Sequence, residues 1–118
     1  MLFRSLSGRI RPITLSAVGE LALSALDNFH ADIAFLGTNG VNSEIGFTTP
    51  DPEESAVKRT MIKHARETIV MADSSKFGKS TATRFARFED VDRVVADIKA
   101  DANTVAEMEK AGVEVVLA

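Results

Sequence analysis

Lys76 stands in Asp73-Ser74-Ser75-Lys76-Phe77-Gly78, directly after the apolar run Thr68-Ile69-Val70-Met71-Ala72. An ammonium there, among two serine hydroxyls and a glycine, can meet a phosphate as a point charge with backbone and hydroxyl donors around it. The same spacing equally fits a plain surface turn in which Asp73 caps and Lys76 is free. A second cluster, Gly37-Thr38-Asn39-Gly40, follows the apolar run Ala31-Asp32-Ile33-Ala34-Phe35-Leu36. Gly37, Gly40 and Gly46 can bring backbone close to whatever lies above the strand and can take positive φ. The cluster has no GxGxxG spacing and no P-loop lysine, so it is weak as a phosphate motif. Together, Gly37, Asn39, Gly40, Asp73 and Lys76 supply glycines, an amide, a carboxylate and a lysine, a set suited to a small anion.

These residues share an edge only if the intervening elements put them there. Thr49-Pro50-Asp51-Pro52-Glu53-Glu54 writes a helix start: Asp51 caps, Pro52 takes the first helical position, and the glutamates face the positive end of the dipole. The helix runs on through Ala56, Val57, Met61 and Ala65, with Lys58, Arg59, Lys63 and Arg66 on its wetter face. Strand, helix and strand make a right-handed βαβ unit, so both strands run parallel and end on one sheet edge, where ligands of open α/β sheets bind. Downstream, Lys79 to Phe88 reads as an irregular link whose Phe85 and Phe88 rings cover the sheet edge. Arg93-Val94-Val95-Ala96 reads as a strand, Ala102 to Ala111 as a helix stopped by Gly112, and Val113 to Leu117 as a closing strand. Upstream, Met1 to Gly8 is a short mixed stretch, Pro12 follows Arg9-Ile10-Arg11, and a helix opens after Ser16 with Val18, Leu21, Ala22, Ala25 and Phe29 at helical spacing. The order βαβαββαβ predicts an α/β domain with a mainly parallel sheet and flanking helices in three layers.

Other chemistry is thinly supported. His30 and His64 lack a nucleophile or third ligand, and Glu53 with Glu54 is accounted for by capping. Arg9 and Arg11 could meet phosphate or an acidic partner, but fit a solvated loop better. There is no cysteine, hence no disulfide and no thiolate metal site, and no cofactor or metal is expected. A net charge of -3 argues against a nucleic-acid footprint. No apolar run nears the ~20 residues of a membrane helix, and Met1-Leu2-Phe3-Arg4 does not open a signal peptide. At 118 residues the chain is expected to be one cytoplasmic domain.

Several blocks resemble the effector domain of DeoR-type transcriptional repressors, in that family's order and spacing. They are Asp32 through Val41, Gly46-Phe47-Thr48-Thr49-Pro50, Glu54-x-Ala56-Val57-Lys58-Arg59-x-Met61-Ile62 and Ala72 through Gly78. Leu6-Ser7-Gly8-Arg9 through Val18-Gly19 looks like the family's Leu-Gly-Gly turn and helix, with Ser7 in place of the first glycine. The resemblance implies a fold similar to ribose-phosphate isomerases, glucosamine-phosphate deaminases and CoA transferases. It also implies a phosphorylated sugar effector that contacts Lys76, with Asp73, Asn39, Gly40 and Gly37 on the same edge. The blocks look most like members governing fructose uptake through the phosphotransferase system. By the same comparison, residues 1–118 correspond to the C-terminal portion of the effector domain, without its Gly-Thr-Thr phosphate loop. DNA is then met only through a helix-turn-helix domain absent from this chain. Uncovered sheet surface in such a portion implies a homo-oligomer.

Two further readings stand beside this one. A sugar-phosphate isomerase or deaminase would need a general base, but a deaminase's acid-Gly-His position reads Asn39-Gly40-Val41 here, and neither amide nor valine titrates. Glu44 is the nearest carboxylate, so no catalytic residue is assigned. A purely structural or oligomerising domain is the third reading.

Overall fold

The computed structural model describes residues 30–118. The expected elements at Met1–Gly8 and after Ser16 lie outside them. The described chain runs β1 (Ala31–Gly37), β2 (Gly40–Asn42), β3 (Gly46–Thr49), α1 (Pro52–His64), β4 (Ala65–Met71), β5 (Thr83–Ala86), β6 (Arg93–Ala96), α2 (Ala102–Lys110) and β7 (Glu114–Leu117). Single 3-10 turns cover Ser74–Lys76 and Phe88–Asp90.

Four of these strands form one parallel sheet in the order β1-β4-β6-β7. The register sets Leu36 beside Val70, Val70 beside Val94 and Val94 beside Val115. That row of apolar side chains faces the core, where Val57 and Met61 of α1 and Met108 of α2 pack with it. The sheet is parallel because β1, β4, β6 and β7 are joined by crossovers rather than hairpins.

Helix α1 begins as its residues dictate. Asp51 Oδ1 accepts the Glu53 amide at 2.9 Å, Pro52 stands in the first turn, and Lys63 and His64 close the last one. The helix ends at His64, and Ala65 and Arg66 already belong to β4, so Arg66 is not on the helical face expected for it. Helix α2 is capped by Asp101, whose Oδ2 accepts the Thr104 amide at 3.0 Å, and it stops before Gly112 at φ 93°.

A second, antiparallel sheet in the order β2-β3-β5 was not expected. Its hairpin lies within the stretch read as a glycine loop. Asn42 Oδ1 accepts the amides of Glu44 and Ile45 at 2.9 and 3.0 Å, which closes the turn, and Gly46 at φ 108° backs onto the Ala86 carbonyl. The Lys79–Phe88 segment is likewise no irregular link: it holds β5, and Phe85 and Phe88 are core residues rather than covers of a sheet edge. Their rings lie 6.2 and 5.3 Å from that of the fully buried Phe47. The small sheet thus packs its Phe47 and Phe85 into the same core as Val57 and Met61 of α1.

Candidate functional site

β1 and β4 are direct parallel neighbours, with Gly37 paired to Met71, so the loops that follow them leave the same sheet edge. The two loops also touch. Val41 forms an isolated parallel bridge with Phe77, and the Gly78 amide donates to the Val41 carbonyl at 2.8 Å. The Gly37–Gly40 and Asp73–Gly78 segments therefore form one continuous ledge.

The first segment is held tightly. The Thr38 hydroxyl reaches the Gly40 carbonyl at 2.8 Å and lies 3.1 Å from that of Thr48, while the Asn39 amide donates to Thr48 at 3.0 Å. Asn39 is left exposed at the apex. Gly37 and Gly40 have no positive φ; that freedom is used at Gly46, Gly78 and Gly112. Gly40 is a glycine for another reason. A Cβ there would sit 2.5 Å from Thr48 Oγ1 and 2.6 Å from the Lys79 carbonyl, so the close approach is to the chain's own backbone. Gly37 has open space, with nothing within 4 Å of an added Cβ.

In the second segment Asp73 is engaged in capping. Its carboxylate accepts the Ser75 amide at 2.9 Å and the Ser75 hydroxyl, and these bonds hold its pKa below the ordinary carboxylate value. Lys76 ends the 3-10 turn, half-buried, its amide donating to the Asp73 carbonyl at 3.0 Å. The turn is fixed from the other side by Asp97, which follows β6 and accepts the Ser74 amide. A shallow, largely apolar depression bordered by Met71, Asp73, Val95, Asp97 and Ala118 adjoins it at the same edge. Lys76, Asn39 and the glycines thus share one ledge, whose Asn39 and Ser74–Gly78 amides are bonded within the protein, leaving the Lys76 ammonium as its cation.

One residue at this edge was missed. Lys58 is not on the wetter face of α1; it is only 7% exposed. Its Nζ donates to the Gly37 carbonyl at 2.8 Å, pairs with Glu54 at 3.2 Å and lies 4.8 Å from the Phe85 ring centre. Burial pushes its pKa below the ordinary lysine value, with Glu54 opposing. The spacing held the signal: Lys58 follows Glu54 by four residues and precedes Met61 by three, on one face of the helix.

The histidines lie at the opposite edge. His64, in the last turn of α1, meets His30 edge-to-face at 6.0 Å, beside the N-terminal ends of β1 and β4. No group of three or more metal-ligating side chains exists among the described residues. Glu44 lies in the β2–β3 turn, its amide held by Asn42. No described helix is long and apolar enough to cross a membrane.

The chain is 42% identical over 95 residues to the uncharacterized HTH-type transcriptional regulator FruR of Bacillus subtilis, covering 80% of this chain and 38% of that protein. It is 38% identical over 109 residues to the HTH-type transcriptional regulator GlpR of Haloferax volcanii, covering 92% and 43%. To the glycerol-3-phosphate regulon repressor of Escherichia coli it is 29% identical over 90 residues, covering 76% and 36%. The chain therefore spans about two-fifths of the length of these relatives. Residues 3–98 match the DeoR C terminal sensor domain, and the chain belongs to that family.

Proposed function

We propose that this chain is the effector-sensing portion of a transcriptional repressor of carbohydrate metabolism. The effector is a phosphorylated sugar, held on the ledge formed by Gly37–Gly40 and Asp73–Gly78. The observation that carries this is the Val41–Phe77 bridge with its Gly78 bond, which joins a cation-bearing loop to a glycine loop at the C-terminal edge of a parallel sheet. Lys76 supplies the charge for the phosphate, and the exposed Asn39 side chain hydrogen-bonds sugar hydroxyls. Asp73, already spent on Ser75, shapes the turn.

The likeness of this chain to a repressor named for the glycerol-3-phosphate regulon supports a small phosphorylated polyhydroxy compound as the ligand class. A fructose phosphate is the first candidate. The wider fold is that of the ribose-phosphate isomerases, glucosamine-phosphate deaminases and CoA transferases, used here for sensing and not for turnover, since no titrating group stands where a deaminase needs its base. DNA is contacted through a helix-turn-helix region of the kind its relatives are named for, in the cytoplasm. The repressor is a homo-oligomer, supported by Ile33, Phe35, Met71 and Val116, which share one face of the parallel sheet and remain exposed among the described residues.

The test is ligand-dependent melting of the 118-residue chain with fructose 1-phosphate, fructose 6-phosphate, glycerol 3-phosphate and inorganic phosphate, alongside light scattering. A ligand at a hundred times its Kd stabilises by about 2.7 kcal/mol, a clear rise in Tm. Turnover of any of these compounds would replace the sensor reading with the enzyme one. No shift with any of them would leave the structural reading.

A further inference from the structure

Lys58 is the one charged residue among those described that is buried, and its place is not explained by packing alone. An unbranched apolar side chain would fill the same space without taking an ammonium out of water. The cation is instead directed at a single backbone group, the Gly37 carbonyl at 2.8 Å. Gly37 is the last residue of β1, so the ladder to β4 gives out there. Glu54 at 3.2 Å and the Phe85 ring at 4.8 Å hold the ammonium in position from two other sides. Beyond Gly37 the course of the loop is set by Thr38 and by the Asn39 amide, both bonded to Thr48. Lys58 thus fixes the point from which the loop springs, and Thr48 fixes where it lands.

We propose that Lys58 is a positioning residue of the effector site: by holding the Gly37 carbonyl it sets the path of Gly37–Gly40, and so the affinity of the ledge for a phosphorylated sugar. This rests on the reading of that ledge as the effector site. Arg59, its neighbour in sequence, is exposed and bonds instead to Ser55 and the Arg84 carbonyl, so the role belongs to Lys58 alone of the helix's basic run.

The experiment compares wild type, Lys58→Met and Lys58→Arg in two measurements on the same chain: affinity for fructose 1-phosphate, and amide hydrogen exchange. Methionine keeps the aliphatic volume and removes the charged donor; arginine keeps a donor cation. Lys58→Met is expected to weaken binding about tenfold, the loss of one charge-assisted bond's worth of positioning. Exchange at Thr38, Asn39 and Gly40 should speed up while Val94 and Val95 of β6 stay protected, and Lys58→Arg should recover most of both effects. Should Lys58→Met not fold, Glu54→Gln removes the countercharge from a half-exposed position and is expected to shift both measurements in the same direction, less strongly. Unchanged affinity and unchanged loop exchange would overturn the proposal, as would faster exchange spread evenly into β6. If wild type binds no phosphorylated sugar, the effector reading falls, yet exchange at Thr38–Gly40 still decides whether Lys58 positions the loop.

Discussion

The Gly78 amide lies 2.8 Å from the Val41 carbonyl, and this bond makes one surface out of two loops that leave the sheet 37 and 71 residues into the chain. Val41 is fully buried, so the contact is anchored in the core and is not a passing touch of exposed tips. The placement of either loop is therefore tied to that of the other. Rigid support of this kind lowers the ordering cost that a bound anion would otherwise meet.

Lys76→Ala should weaken sugar-phosphate binding by about ten- to a hundred-fold, because a charged hydrogen bond contributes ~1.5–3 kcal/mol and each decade costs ~1.4 kcal/mol. Its effect on folding should be small, since Lys76 enters the 3-10 turn through its backbone. Calorimetric titration with fructose 1-phosphate checks this, with inorganic phosphate as the stripped-down probe. Affinity that survives the substitution assigns Lys76 to the plain surface turn.

The parallel strands, both described helices and the ledge were legible because each rests on local signals: an apolar run, an Asp-Pro-Glu-Glu start, a glycine stop. The small sheet was not, because β3 pairs with β5 over 30 residues away and each has only four residues, too few for a period. Lys58 was misplaced because residue type outweighed position. A lysine on a buried helical face is unusual; Glu54 one turn away gives it a local countercharge, but Gly37 and Phe85, which complete its surroundings, are distant in sequence. Asp73 was readable as ligand group or cap, and only the Ser75 bonds show it capping.

Gly40→Ala should destabilise the fold, whereas Gly37→Ala should not. At Gly40 the added Cβ meets Thr48 Oγ1 at 2.5 Å and the Lys79 carbonyl at 2.6 Å, and one of those is backbone that cannot swing aside. Overpacking of this kind costs ~1–3 kcal/mol, and the Thr81 amide bond to Thr48 Oγ1 at 3.0 Å is strained with it. For a domain of this size the expected loss in Tm is roughly 4–8 °C per kcal/mol. Gly37 has no positive φ and open space, so alanine there should leave Tm unchanged or slightly raised. Thermal melts of the two variants check the contrast, and equal losses would mean that the Gly40 approach is not what restricts the site.

Acid should remove the stabilisation that the Asp97 and Asp73 carboxylates give the ledge. The Ser74 amide bonded to Asp97 holds that carboxyl below the ordinary value of 3.8, and bonds from Ser75 do the same for Asp73. With a folded pKa depressed below the unfolded one, the unfolded chain takes up the proton first as pH falls. The stabilisation is then fully present above the unfolded value and is lost progressively as pH drops through it toward the folded value. Stability of the wild type should consequently fall with pH below about 4. Asp97→Asn should be less stable at neutral pH and show a flatter dependence in that window, since the amide cannot gain a charge. Because Asp97 tethers Ser74, the same variant should exchange its Ser74 and Ser75 amides faster at pH 7 while the β1 amides stay protected. Urea unfolding at a series of pH values measures the first effect and hydrogen exchange the second. An unchanged pH slope would show that the Ser74 bond does not hold the Asp97 charge in solution.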